Sequence, residues 1–191
     1  MHSLPDDLPV PEDDGAADHL ADASVPSVVL AASAGEPVDL APAATCEGAL
    51  VVYVYPQTGV PGRPLPTGWD RIPGARGCTP QSCAFRDSVS DLIDLGATVF
   101  GLSAQPLDEQ RDFAKREHLP YPLLNDGDFR LAEELALPTF EANGTRYYRR
   151  LTFIARQGQI VKVFYPVFPP QDNAADIIAW LRAEASTAKA G

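Results

Sequence analysis

Cysteine is scarce in this chain of 191 residues, with three in all, at positions 46, 78 and 83. An odd and small number excludes a disulfide-stapled scaffold. Histidine is equally scarce: His2, His19 and His118 fall into no metal-ligand spacing. Positive charge is also in short supply, 15 Lys and Arg against 26 Asp and Glu, for a formal charge of −11. The densest basic run, RYYRR at 146–150, is too short to meet a phosphate backbone, which argues against non-specific nucleic-acid binding. No segment approaches the roughly 18 apolar residues of a membrane span. The first residues, MHSLPDDLPVPEDDG, lack the basic segment and apolar centre of a secretory signal, so a cytoplasmic location is expected. In that reducing setting a close cysteine pair is more often catalytic or metal-binding than structural.

What the chain does have is enough length for one hydrophobic core. Residues 1–24 are acidic and carry Pro5, Pro9 and Pro11, which reads as an arm or surface strap rather than a domain. A single domain is expected over 25–185, with a flexible end at 186–191. VPSVVLAASAGEPVDLA (25–41) reads as a short strand, a turn at Gly35 and a second apolar segment, a hairpin ahead of the main sheet. ALVVYVYP (49–56) is a central strand apolar on both faces and stopped by Pro56. Residues 57–77 hold five Gly and four Pro, a loop long enough to suggest a functional role. A helix is expected from Thr79 as cap and Pro80 in the first position, with Phe85, Val89, Leu92 and Ile93 on its buried face and Gly96 at its end. ATVFGLSA (97–104), LDEQRDFAKREH (107–118), YPLLND (121–126) and FRLAEELAL (129–137) continue as strand, helix, strand and helix. Residues 139–167 have meander or hairpin patterning around Asn-Gly and RQGQ, and NAADIIAWLRAEA (173–185) is the last helix. This order predicts an α/β fold with a mixed central sheet and helices on both faces.

ARGCTPQSCAFRD (75–87) carries the chemistry. Cys78 and Cys83 supply only half of the ligands of a structural zinc site, and inert burial suits Cys46 better than a pair at a helix entrance. The remaining reading is electrostatic. Unpaired N–H groups at a helix start favour an anion, and a cysteine placed there favours its thiolate. Fast attack on a peroxide also requires fixed donors for the O–O bond, and arginine is the natural one. Arg63, Arg71, Arg76, Arg86, Arg149 and Arg150 are the candidates that the sequence leaves open. A sulfenic acid at Cys78 would condense with a nearby thiol, and Cys83 is the near one. Five positions along an intact helix exceed the reach of a disulfide, so the helix must open.

These residues also resemble a known family, the peroxiredoxins, and within it the bacterioferritin-comigratory-protein (Q-type) branch. The likeness covers roughly 25–182. VYVYP is similar to the strand that ends in the motif proline, here Pro56. GCTPQSCAFRD is similar to the branch's cysteine segment, with Gln81 where a glutamate is common. RLTFIARQGQIVKVFYP and LPYPLLNDGDFRLAEEL are similar to its later segments. The resemblance implies a thioredoxin-like fold with an N-terminal extension. It implies Cys78 as the peroxidatic cysteine, Cys83 as the resolving cysteine and Arg150 as the peroxide-polarising arginine. Hydrogen peroxide and alkyl hydroperoxides would be the substrates, thioredoxin or a similar dithiol protein the reductant, and no cofactor is called for. With the resolving thiol in the same chain, a monomer or a homodimer would serve. The family's threonine three residues before the cysteine is Ala75 here, and Pro56 lies twenty-two residues before Cys78 rather than seven. Thr58 is the first candidate to supply the missing hydroxyl. A thiol–disulfide oxidoreductase or a redox sensor on the same fold is the alternative.

Overall fold

The computed structural model describes residues 8–45 and 47–190, and side chains as far as 187. Cys46 and the first seven residues of the arm lie outside the described residues. Nine strands and six α-helices are present among those described.

The expected hairpin is β1 (Val29–Ala32) paired antiparallel with β2 (Val38–Asp39), followed by a short helix α1 (Leu40–Thr45) that hydropathy patterning had not signalled. The central strand is β3 (Ala49–Val54), in which all six residues are buried. It runs parallel to β4 (Ala97–Ser103), which runs parallel to β5 (Leu123–Asn125). On its other side β3 pairs antiparallel with β8 (Leu151–Arg156), and β8 with β9 (Gln159–Phe164). The seven-stranded order is β2-β1-β5-β4-β3-β8-β9, so parallel pairing in the middle gives way to antiparallel edges. This is the mixed sheet of a thioredoxin-like α/β fold.

Side chains alternate across the sheet with the period of two that strands impose. Leu50, Val52 and Val54 of β3 pack on one face with Phe100, Leu102, Leu124 and Phe153. Val51 and Tyr53, with Tyr55 beyond the strand end, pack on the other face with Val99, Leu123 and Ile154. That second face is covered by α2 (Cys78–Asp87), α3 (Val89–Asp94), α4 (Leu107–Arg116) and α6 (Asn173–Ala190). The first face is covered by α1 and α5 (Arg130–Leu135). Tyr53 lies opposite Gly101 of β4, and a Cβ on Gly101 would come within 2.6 Å of the Tyr53 ring and of Leu123. Glycine there makes room for the ring at the centre of the site's floor.

Several expectations are corrected. The helix expected from Thr79 to Gly96 is two, broken at Ser88, whose φ of −104° and ψ of 4° leave the helical region. The break rotates α3, so that Ile93 is 64% exposed instead of sharing the buried face with Leu92. The helix begins at Cys78 on a Gly77 cap, not at a Thr79 cap. At the far end, residues 186–190 continue α6 rather than leaving it.

The region 139–167 is two hairpins. β6 (Thr139–Ala142) and β7 (Thr145–Tyr148) form a separate two-stranded sheet around Asn143-Gly144, and β8 and β9 turn at Gln157-Gly158. Both turns have positive φ at both central residues, the mirror-image turn that suits the twist of paired strands. Asp22 and Ala23 of the acidic arm, with Val25 just beyond it, exchange backbone hydrogen bonds with Gly158 and Ile160 along the edge strand β9, while Ala17 and Leu20 of the arm are buried.

Candidate active site

Cys78 is the first residue of α2, and Gly77, at φ 100° and ψ 15°, caps the helix with no side-chain hydrogen bond. Pro80 in the first turn brings no N–H, so the backbone donors at this end belong to Cys78 and Thr79. The helix turns Cys78, Gln81, Ser82 and Phe85 inward, at the i, i+3, i+4, i+7 spacing of one face. Phe85 stacks on Tyr53 with ring centroids 4.4 Å apart. The Tyr53 hydroxyl donates to Ser82 Oγ (3.1 Å), and Tyr121 donates to the Ser82 carbonyl (2.7 Å). The floor of α2 is thus fixed by aromatic packing and two phenol contacts. Burial drives the phenols of Tyr53, Tyr55 and Tyr121 well above their ordinary range, so they stay neutral donors.

Arg150 stands just before β8 and is 3% exposed. Its Nη2 donates to Cys78 Sγ at 3.1 Å. The same nitrogen reaches the carbonyls of Gly74 (3.2 Å), Ala75 (3.4 Å) and Arg76 (3.0 Å), and Nε reaches Gly74 again (3.3 Å). Nη1 donates to Gln81 Oε1. Gln81 passes its amide N–H to Asn173 Oδ1 at the start of α6 (2.9 Å), which also accepts from Thr152 of β8 (2.7 Å). A buried cation requires an anion or full hydrogen bonding. Arg150 has the second in a cradle of neutral oxygens, and the one partner that can become an anion is Cys78 Sγ. Of the six arginines left open by the sequence, this one meets the thiol.

The cradle is built by the 57–77 loop, which folds over the site. Trp69, 2% exposed in a short 3-10 turn, packs against Tyr147 (4.9 Å between centroids) and Phe140 (5.8 Å) of the β6–β7 hairpin. Arg76 and Asp70 pair across the loop. The arm adds Pro11, whose ring lies 3.6 Å from where a Gly74 side chain would begin, and Asp14, which pairs with Arg149 and accepts from Tyr165. The hydroxyl of Tyr165 and the nearby Arg149 hold the exposed Asp14 carboxyl below its usual range.

The other expected site residues are placed as follows. Pro56 is buried after β3, and its carbonyl accepts from Ser103 Oγ (2.8 Å). Thr58 is buried and turned to Gln105: its hydroxyl and its N–H both donate to Gln105 Oε1, at 3.0 and 2.9 Å. Its proton therefore serves the loop's anchorage to the segment that follows β4. Cys83 is on the opposite side of α2 from Cys78, half-buried, with its thiol 3.7 Å from Glu117 Oε2. Both thiols are free. Burial raises the Cys83 thiol, with Glu117 adding to the rise and Arg86 opposing it. The carbonyl cradle at 74–76 and the Thr152–Asn173–Gln81 chain left no signal in the sequence, because both depend on long-range juxtaposition of ordinary polar groups.

Residues 20–178 match the Redoxin family model. The chain is 29% identical over 133 residues to the chloroplastic peroxiredoxin Q of Gentiana triflora, covering 70% of this chain and 54% of that protein. It is 24% identical over 135 residues to a putative peroxiredoxin bcp of Coxiella burnetii, covering 69% and 80%. Among solved structures, peroxidoxin BcpB of Mycobacterium tuberculosis superposes with a TM-score of 0.69 at 25% identity, covering 85% of this chain and 96% of that one. The chain thus spans about half the length of the plant relative.

Proposed function

The chain belongs to the redoxin family, as a peroxiredoxin of the Q branch, and from that premise we propose that it is a thiol-dependent peroxidase. The observation that carries the reading is the buried contact between Arg150 Nη2 and Cys78 Sγ at a helix start. A Cys78 thiolate attacks the outer oxygen of a hydroperoxide. The O–O bond breaks, Cys78 becomes a sulfenic acid, and the alcohol or water leaves after taking a proton. In this reading Arg150 and the first N–H groups of α2 stabilise the charge that grows on the two oxygens. Cys83 then condenses with the sulfenic acid, and a thioredoxin-like dithiol protein reduces the resulting bond. With Ala75 lacking a hydroxyl and Thr58 committed to Gln105, polarisation falls to Arg150 and the backbone. Hydrogen peroxide and alkyl hydroperoxides are the substrate class.

The test is a pair of substitutions. Cys78→Ser should abolish peroxide consumption. Cys83→Ser should keep one equivalent of consumption and lose dithiol-driven turnover. Undiminished consumption by the Cys78→Ser protein would refute the assignment.

A further inference from the structure

Cys83 sits in a corner formed by the back of α2 and the end of α4. Glu117, the residue that follows α4, meets α2 twice. Its carboxylate Oε2 accepts from the Cys83 thiol at 3.7 Å, and its backbone carbonyl accepts from Arg86 Nη1 at 2.8 Å. Glu117 is itself fixed, with its N–H on the Phe113 carbonyl (2.9 Å), Oε1 on Arg116 Nε (3.3 Å), and its side chain only 15% accessible. The charged and titratable groups around the thiol are Arg86 and Asp87 on α2, Glu117 beyond α4, and Tyr121 before β5, which burial keeps neutral. A thiol can donate to the Glu117 carboxylate, whereas a thiolate would face it as a like charge.

In a wound helix the Cα atoms of residues five apart are about 8–9 Å distant and on opposite sides. A disulfide needs them within about 7 Å. Cys83 must therefore leave Glu117 before it can reach Cys78.

We propose that Glu117 is a latch on Cys83: it holds the resolving thiol protonated, and with Arg86 it holds α2 wound, until Cys78 has been oxidised. The inference rests on the reading of Cys83 as the resolving thiol. In the step that the latch controls, Cys83–SH and Cys78–SOH give the disulfide and one water. The Cys83 proton leaves with the hydroxyl of the sulfenic acid, and one sulfur is oxidised as the other is reduced. Holding Cys83 back imposes an order, because the thiol facing Glu117 does not compete with Cys78 for peroxide. It also leaves the Cys78 sulfenic acid exposed to a second peroxide for as long as the latch stays closed.

Two measurements test it. The first uses Cys78→Ser protein with and without Glu117→Gln. Iodoacetamide labelling of Cys83 is followed by peptide mapping, which separates it from Cys46, between about pH 6 and pH 9. Glu117→Gln should raise the Cys83 rate about threefold to tenfold at neutral pH and move its pH profile downward. Glu117→Asp, which keeps the charge, should stay near the unsubstituted rate. An unmoved profile, with the helix content intact by circular dichroism, overturns the latch. The second measurement adds one equivalent of hydrogen peroxide to protein with both thiols present. The Cys78–Cys83 bond should close faster with Glu117→Gln, with less sulfinic acid at Cys78 under excess peroxide. If the unsubstituted protein closes the bond and the variant closes it no faster, the latch alone is wrong. If the unsubstituted protein never forms the bond, the resolving role of Cys83 falls and the latch falls with it.

Discussion

Arg150 Nη2 lies 3.1 Å from Cys78 Sγ, and every other acceptor on that guanidinium is a neutral oxygen, from the carbonyls of Gly74, Ala75 and Arg76 and the amide of Gln81. The guanidinium is thus oriented by groups that leave its charge unneutralised. Its Nη2 is directed at Sγ, the atom from which the proposed reaction begins and beside which charge grows on the peroxide oxygens.

Removing that fork should cost rate more than fold. Arg150→Met is expected to slow the first peroxide turnover by about 100-fold, the loss typical of one preorganised donor at a developing anion. Arg150→Lys keeps a charge but loses the planar pair of N–H groups, and should fall between the two. Stopped-flow intrinsic fluorescence at several peroxide concentrations gives the second-order constant. A loss below about threefold would mean that the arginine is not a transition-state donor.

The loop that supplies the cradle should transmit damage to the same step. Trp69 is buried against Phe140 and Tyr147 and anchors the segment that ends in the 74–76 carbonyls. Trp69→Ala should destabilise the protein by about 3 kcal/mol, as large core truncations do, and should also slow peroxide attack. Trp69→Phe should restore most of both. Denaturant titration and the first-turnover rate, measured on the same samples, check the coupling. An unchanged rate in a destabilised variant would show that the cradle stands without the tryptophan.

Alkaline pH should weaken the fold. Burial raises the phenols of Tyr53, Tyr55, Tyr121 and Tyr148 above the ordinary value, and burial first of all raises the Cys83 thiol. In the unfolded chain thiols ionise from about pH 8.5 and phenols from about pH 10. Above those points the unfolded state holds fewer protons than the folded one, so stability falls as pH rises. Below about pH 8 the contribution is fully present. The urea midpoint should therefore drop between about pH 8 and pH 10.5, and a flat midpoint would show that these groups are more solvated than their burial indicates.

Gly101 should tolerate no side chain. A methyl there would overlap the Tyr53 ring and Leu123 at 2.6 Å, so Gly101→Ala should cost about 1–3 kcal/mol. Thermal unfolding measures it, and a neutral result would mean that Tyr53 can shift without loss.

Much of this fold was legible in the sequence because its signals are local. The unbroken apolar run of β3, the Asn-Gly turn of β6–β7 and the stripe of Ile177, Ile178 and Leu181 on α6 each specify an element without reference to the rest. The placement of Cys78 near a helix start was likewise readable from Thr79 and Pro80, although the cap itself is Gly77 and not Thr79. What was not readable depends on turns or on distant partners. Ser88 interrupts the helix by its backbone angles, which no periodicity announces, and so Ile93 was expected on the wrong face. Thr58 has the right chemistry, but its orientation is decided by Gln105, 47 residues away in sequence. The three carbonyls that receive Arg150 belong to every residue type alike, so a sequence cannot mark them.

The account stands or falls on what the two thiols do when peroxide arrives. Reduced protein mixed with one equivalent of hydrogen peroxide, quenched over milliseconds to seconds and peptide-mapped by mass spectrometry, should show a sulfenic acid at Cys78 that decays into a Cys78–Cys83 bond. If Cys78 instead reacts no faster than a free cysteine, the contact with Arg150 does not activate it, and the peroxidase assignment is contradicted.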